Sequence, residues 1–153
     1  MTEPGYTAPD TTQLGGEHIA RYEATSGEEG YVWNGATCLV LHTTGRKTGE
    51  ERKTALIYAP DGDDCLVVAS LGGAPRHPMW YLNLVADPNV TVQVKDRVFR
   101  AVARTATPEE KPRLWQIVTQ QWPNYDVYVT RTTREIPVVV LTPVDAAGDA
   151  ATP

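Results

Sequence analysis

The chain has 153 residues, 41% of them hydrophobic and 22% charged, and its formal net charge is −5. That length fits one domain whose core buries about two-thirds of the unfolded surface. A pI near 5.1 speaks against nucleic acid as the main partner, because phosphate backbones need a broad basic face, and no run of about 18 apolar residues is present to cross a membrane as a helix.

The polar, proline-bearing start, Met1 to Asp10, lacks the basic and apolar regions of a secretion signal. Residues 1–14 are expected to be disordered. Ile19, Ala20 and Tyr22, set against Glu17, Arg21 and Glu23, predict an amphipathic helix over 16–26, ended by Gly27-Glu28-Glu29-Gly30. The period then shortens. Thr37–His42, Arg52–Tyr58 and Cys65–Ser70 read as strands, with turn signals at Gly45–Gly49 and Asp61-Gly62-Asp63. Three strands joined by short turns predict an antiparallel meander. Gly72-Gly73-Ala74-Pro75 breaks the sheet, and Pro78 suits the first turn of a short helix carrying Met79, Trp80, Leu82 and Leu84. Asp87-Pro88 stops that helix.

Val90, Val92 and Val94 alternate with polar residues as a half-buried strand, and Val98–Arg104 pairs back across Lys95-Asp96-Arg97. Thr107-Pro108-Glu109-Glu110 predicts a helix start, with Thr as N-cap and Pro at the first helical position. That helix carries Leu114, Trp115, Ile117 and Val118 and ends before Pro123; tryptophans at such helical positions, Trp80, Trp115 and Trp122, are more often core than pocket. Tyr125–Arg131 forms a further helical piece and Ile136–Leu141 a last strand. The tail 144–153 is expected to be loose. Six mainly antiparallel strands with inserted short helices make an α+β domain over 15–143, best closed as a barrel. Cys38 and Cys65 lie in apolar strands at no zinc spacing and read as buried thiols of a cytoplasmic protein. No glycine fingerprint for dinucleotides and no P-loop is present.

The chemistry concentrates in Thr43-Thr44-Gly45-Arg46-Lys47-Thr48-Gly49 with Arg52-Lys53. Four of the chain's 14 Lys and Arg residues fall within the eight positions 46–53 of an acidic protein. Guanidinium, ammonium, hydroxyl and backbone N–H together suit phosphate or carboxylate oxygens. The plain alternative is a solvated charge run on a hairpin. No nucleophile–base pair, carboxylate pair or histidine cluster for a metal is visible. Of the three histidines, His18 is placed on an exposed helix face, His42 at a core or rim position and His77 at a helix start. Tyr125 and Tyr128, three apart, share a helix face, as pocket wall or as surface contact.

With these pieces in order, the chain resembles the deazaflavin-dependent nitroreductase and quinone reductase family. Four segments carry the likeness. They are His18-Ile19-Ala20-Arg21-Tyr22, Thr44–Gly49, Ala69–Ala74 with His77–Leu84, and Tyr125–Tyr128 with Arg134–Val138. The likeness spans roughly residues 16–143. It implies a split β-barrel and the deazaflavin coenzyme F420. It further implies coenzyme contacts from Arg46, Lys47, Thr48, Arg52, Ser70, Gly72, Gly73, Ala74, His77, Trp80 and Asn83, and a catalytic wall of Tyr125, Tyr128, Trp80 and Ser70. Relatives often carry Lys where this chain has Leu71, which removes one cation from the coenzyme side. The expected reaction is hydride transfer from the reduced coenzyme to a quinone or nitroaromatic. The alternatives are an FMN-binding oxidoreductase of the same barrel, or a non-catalytic carrier of coenzyme or apolar ligands. A monomer or homodimer, with peripheral membrane contact left open, completes the expectation.

Overall fold

A computed structural model describes residues 16–144; the expectations for 1–14 and for the tail from 145 lie outside the described residues. Helix α1 (Gly16–Ala24) leads into strands β1 (Val32–Trp33), β2 (Ala36–Thr44), β3 (Glu51–Ile57), β4 (Ala59–Asp61) and β5 (Asp64–Val68). A 3-10 turn (Leu71–Gly73), α2 (Met79–Ala86), β6 (Asn89–Val94), β7 (Arg97–Thr105), α3 (Lys111–Gln121), α4 (Asn124–Thr130) and β8 (Val138–Pro143) follow.

The eight strands run in the order β1-β2-β6-β7-β8-β5-β4, with β3 paired to the other edge of β2. Every ladder is antiparallel. The expected meander is therefore corrected. β2 pairs with β3 and β4 with β5, but β5 takes β8 as its next neighbour, in the register Val67↔Val139. The curled sheet stays open between β3 and β5, which makes it a split barrel. Two strands, β1 and β4, have only two and three residues, too few to show a period, and raise the expected six strands to eight.

β5 and β8 are buried on both faces. Cys65, Val67, Val139 and Leu141 point into one core with Leu39, Leu41, Trp80 and Leu84; Leu66, Val68, Val138 and Val140 point into a second with Leu114, Val118 and Trp122. Period-two alternation inside continuous apolar runs produces this two-sided burial. α1 covers the barrel through Tyr22, whose fully buried phenol donates to Cys38 O (2.9 Å) and accepts from Lys95 N (2.8 Å).

Local signals mostly act where expected. Thr107 and Glu110 exchange capping bonds, Thr107 N to Glu110 Oε1 at 2.8 Å and Glu110 N to Thr107 Oγ1 at 3.3 Å. Regular helix nevertheless starts only at Lys111, because residues 108–110 form a turn first. Trp115 is corrected from core to periphery: it is half-buried and its indole donates to Asp126 Oδ1 at 2.7 Å. Cys38 and Cys65 are free and buried. Burial pushes their thiols up to about 12 and about 11, so neither is a thiolate near neutral pH.

Candidate functional site

The β2–β3 hairpin is closed by Gly45 N to Glu50 O (2.7 Å) and Gly49 N to Gly45 O (2.8 Å), with Gly49 at φ +75°, a backbone conformation costly for other residues. Arg46 N and Nη1 both donate to Asn83 Oδ1 (3.2 and 3.4 Å), and Asn83 Nδ2 donates to Thr43 Oγ1 at 3.3 Å. The buried amide of Asn83 thus pins the hairpin to α2. Gly45, Gly49 and Glu50 spend their N–H groups within the hairpin and Arg46 spends its own on Asn83, while the side chains of Arg46, Lys47, Thr48 and Arg52 line a neighbouring cavity. Lys53 lines the same cavity, with its ammonium paired to Glu23 at 2.9 Å. Arg52 holds Glu50 at 3.5 Å with both side chains mostly exposed, a pair too solvated to fix the guanidinium.

These residues line a cavity of about 450 Å³ together with Thr54, Met79, Trp80 and Asn83. A second cavity, about 550 Å³, adjoins it and shares Thr54 and Trp80. Its walls are the 54–57 edge of β3, the aromatic faces of Trp33, Trp122, Tyr125 and Tyr128, and Ser70 and Leu71. That edge of β3 has no strand partner, so the groove opens at the split in the barrel. A somewhat larger cavity, about 580 Å³, lies at the other end of β5 around Asp64, Cys65, Arg97 and Phe99. It contains none of the candidate residues, and volume alone does not choose between them.

Within the aromatic cavity, Trp122 Nε1 donates to Tyr128 Oη at 3.2 Å. Tyr125 packs edge-on against Tyr128, with ring centroids 6.1 Å apart, and tilted against Trp115 at 6.2 Å. Burial drives the Tyr125 phenol well above its ordinary range, so it does not give up a proton near neutrality. The Ser70–Ala74 segment shows only its leading edge to the cavity. Gly73, at φ +86°, packs so closely on the end of α4 that a Cβ there would lie 2.8 Å from Tyr128 O and from Arg131 Cβ. Ala74 O accepts from Arg134 Nε at 2.8 Å.

The structure therefore brings together Arg46, Lys47, Thr48, Arg52, Asn83, Trp80, Ser70, Tyr125 and Tyr128. Gly73, Ala74 and His77 do not line either cavity. His77 Nδ1 instead faces Arg134 Nη1 at 3.2 Å, and its ring tilts against Tyr81 with centroids 4.9 Å apart. Burial first, and then the Arg134 charge, hold the imidazole below its ordinary pKa. His18 is corrected from an exposed position: it is 4% exposed, its Nε2 meets Gly30 O at 2.7 Å, and it lines the aromatic cavity. His42 is a rim residue, as expected, with Nδ1 3.1 Å from Glu51 Oε2. Sequence reasoning did not find Trp122, Trp33 or Thr54 as wall residues. The spacing Trp122, Tyr125, Tyr128, three apart twice, was the available signal for the first.

The open barrel thus sets a cationic hairpin beside an aromatic cavity, a lining whose chemistry suits a flat molecule with an anionic tail. The chain belongs to the F420H(2)-dependent quinone reductase family, whose model matches residues 15–143. It is similar to an F420H(2)-dependent quinone reductase of Mycobacterium tuberculosis, 49% identical over an alignment of 129 residues that covers 82% of this chain and 87% of that protein. The solved structure of an F420-H2-dependent reductase superposes with a TM-score of 0.64 at 37% identity, over 68% of this chain and 92% of that one. Another, described as a domain-swapped dimer, gives a TM-score of 0.67 at 34% identity, over 82% and 92% of the two chains.

Proposed function

We infer that the protein holds reduced coenzyme F420 along the groove and serves its transfer of hydride to a flat, electron-poor acceptor, a quinone or a nitroaromatic. One observation carries the reading: a single groove is cationic at one end and aromatic at the other, joined at Thr54 and Trp80. Of the two coenzymes that a cationic hairpin suits, the family match supports the deazaflavin over FMN. When bound, the coenzyme supplies the hydride; the chain supplies position, exclusion of water and charge.

Arg46, Lys47, Thr48 and Arg52 hold the anionic tail, each charge-assisted bond contributing about 1.5–3 kcal/mol. Asn83 keeps Arg46 in place. Trp80 forms the wall at the junction, and Ser70 and Leu71 form the rim. Tyr125 serves as an apolar face. Tyr128, whose Oη accepts from the indole of Trp122, donates a hydrogen bond to the acceptor oxygen, stabilising the charge that grows there. The unit spans 15–143 and works in the cytoplasm as a monomer or homodimer. The domain-swapped neighbour supports the dimer. Among the described residues no helix is long and apolar enough to cross a membrane.

The test is to mix protein with reduced coenzyme F420 and menadione and to follow coenzyme oxidation, with parallel titrations of F420 and FMN. Oxidation well above the protein-free rate, with F420 bound more tightly than FMN, is the expected result. Background rates across several quinones and nitroaromatics would remove the enzymatic reading.

A further inference from the structure

We propose that Arg134 is a positioning residue of this site. One guanidinium ties the base of the loop that borders the aromatic cavity, and so sets the distance between that loop and the tyrosine face of α4. The proposal rests on reading the groove as the coenzyme and acceptor site.

Arg134 Nη1 donates to Ala69 O (3.2 Å), Nη2 to Ser70 O (2.8 Å) and Nε to Ala74 O (2.8 Å). Ala69 and Ser70 precede the 3-10 turn and Ala74 follows it, so one side chain closes the turn across its base. Nη1 also reaches His77 Nδ1 at 3.2 Å and Glu135 O at 3.4 Å. No carboxylate takes part in this set. The five N–H donors of a guanidinium, fixed in one plane, can satisfy three separated carbonyls. A lysine ammonium cannot span them.

The turn needs such a tie. Leu71 sits at φ +46°, a left-handed conformation that a branched side chain holds only when its surroundings impose it. Locally the turn is held by Gly73 N to Ser70 O and Ala74 N to Leu71 O. Opposite Arg134, Gly73 abuts Tyr128 O and Arg131. The segment 124–134 therefore carries Tyr125 and Tyr128 into the cavity and, a few residues on, grips the loop whose Ser70 and Leu71 form the facing rim. The cationic hairpin belongs to other elements and is not held by Arg134.

This separation dictates the test. Arg134→Ala and Arg134→Lys are compared with wild type and with Arg113→Ala, a control whose ion pair to Asp61 lies on the exposed face of α3. Coenzyme affinity is measured by fluorescence titration, and kcat and KM with menadione. In Arg134→Ala, kcat falls about tenfold or more while the coenzyme Kd stays within about threefold, as expected when reacting groups are misplaced but the anion site is kept. Millimolar guanidinium restores part of kcat, and Arg134→Lys stays low. Should Arg134→Ala not fold, Arg134→Lys carries the same kinetic expectation.

Hydrogen exchange provides a readout independent of any coenzyme: amides 70–77 exchange faster in the variants than in wild type. The proposal is overturned by a kcat within twofold of wild type in Arg134→Lys, or by unchanged exchange over 70–77. A loss of kcat matched by an equal loss of affinity, with no guanidinium rescue, also overturns it. Wild-type protein that binds no coenzyme, yet shows the exchange difference, would instead sink the proposed function and leave the clamp standing.

Discussion

Tyr125 and Tyr128 are three residues apart on one helix, yet their surroundings give them different work. Tyr125 is sealed between Trp115 and Tyr128, and burial drives its phenol far above the ordinary range. The oxygen of Tyr128 accepts from the Trp122 indole inside the aromatic cavity. Tyr128→Phe is therefore expected to lower kcat about tenfold with coenzyme affinity unchanged, while Lys47→Ala weakens the coenzyme about tenfold, the size of one charge-assisted bond, with kcat little changed. Steady-state kinetics with a coenzyme titration separate the two; equal and negligible effects would mean the groove is not the site. His77 adds a pH signature. Its folded pKa lies below its ordinary 6.5, and the groups facing it are Arg134 and the Tyr81 ring. Between the two values the unfolded chain binds the extra proton, so stability falls as pH drops through the region below 6.5 and is level above it. Thermal unfolding between pH 7.5 and pH 5 should show this, and His77→Asn should flatten it. Glu110, held low by Arg104, acts only further down, below 4.5. At this scale the sequence displayed the hairpin cations and the aromatic wall, because charge and ring are visible in a residue's name. It did not display the role of Arg134, a residue within one of the family-like segments, because its partners are backbone carbonyls that any residue supplies. His18 was hidden for a related reason: the face that α1 buries is His18 and Tyr22, four apart, rather than the more apolar Ile19.

At the scale of elements, the groove exists because two hairpins that are adjacent in sequence do not pair. Turn signals fix each hairpin internally, and both were readable at Gly45–Gly49 and Asp61-Gly62-Asp63. Which hairpin edge meets which is decided by long-range burial, and β5 gains more by lying against β8, where both faces are covered, than against β3. No local pattern encodes that choice, so the sequence reading produced a meander where the chain leaves an opening. The rim of that opening is just as dependent on close approach. Gly73→Ala would place a Cβ 2.8 Å from the Tyr128 carbonyl, at a φ of +86°. Backbone cannot yield there as a flexible side chain could, and the strain is on the order of 1–3 kcal/mol. The expected outcome is a melting temperature lower by several degrees, together with a kcat loss in the variant that remains folded. A Gly62→Ala control also carries positive φ, +62°, but meets no atom within 4 Å, so it reports backbone strain without the α4 contact. Equal behaviour of the two variants would show that the loop does not depend on its fit against α4.

For the molecule as a whole, the relevant quantity is the contrast between a net charge of −5 and one cationic corner. At a distance the protein repels an anion. Within about one Debye length, roughly 8–10 Å at ordinary salt, Arg46, Lys47 and Arg52 outweigh that field. The aromatic end of the groove carries no comparable charge, and a flat acceptor seated there would be held by apolar area and ring contacts, which salt barely touches. The two halves should therefore separate under ionic strength. Raising NaCl from 50 mM to 500 mM is expected to increase the apparent KM for the reduced coenzyme several-fold, while the KM for menadione stays within about twofold. Arg46→Ala should reduce the salt slope for the coenzyme by removing one of the charges that creates it. A coenzyme KM that ignores salt would mean that the anionic tail does not lie against the hairpin. Parallel slopes for coenzyme and acceptor would mean that the groove is not divided as its lining suggests.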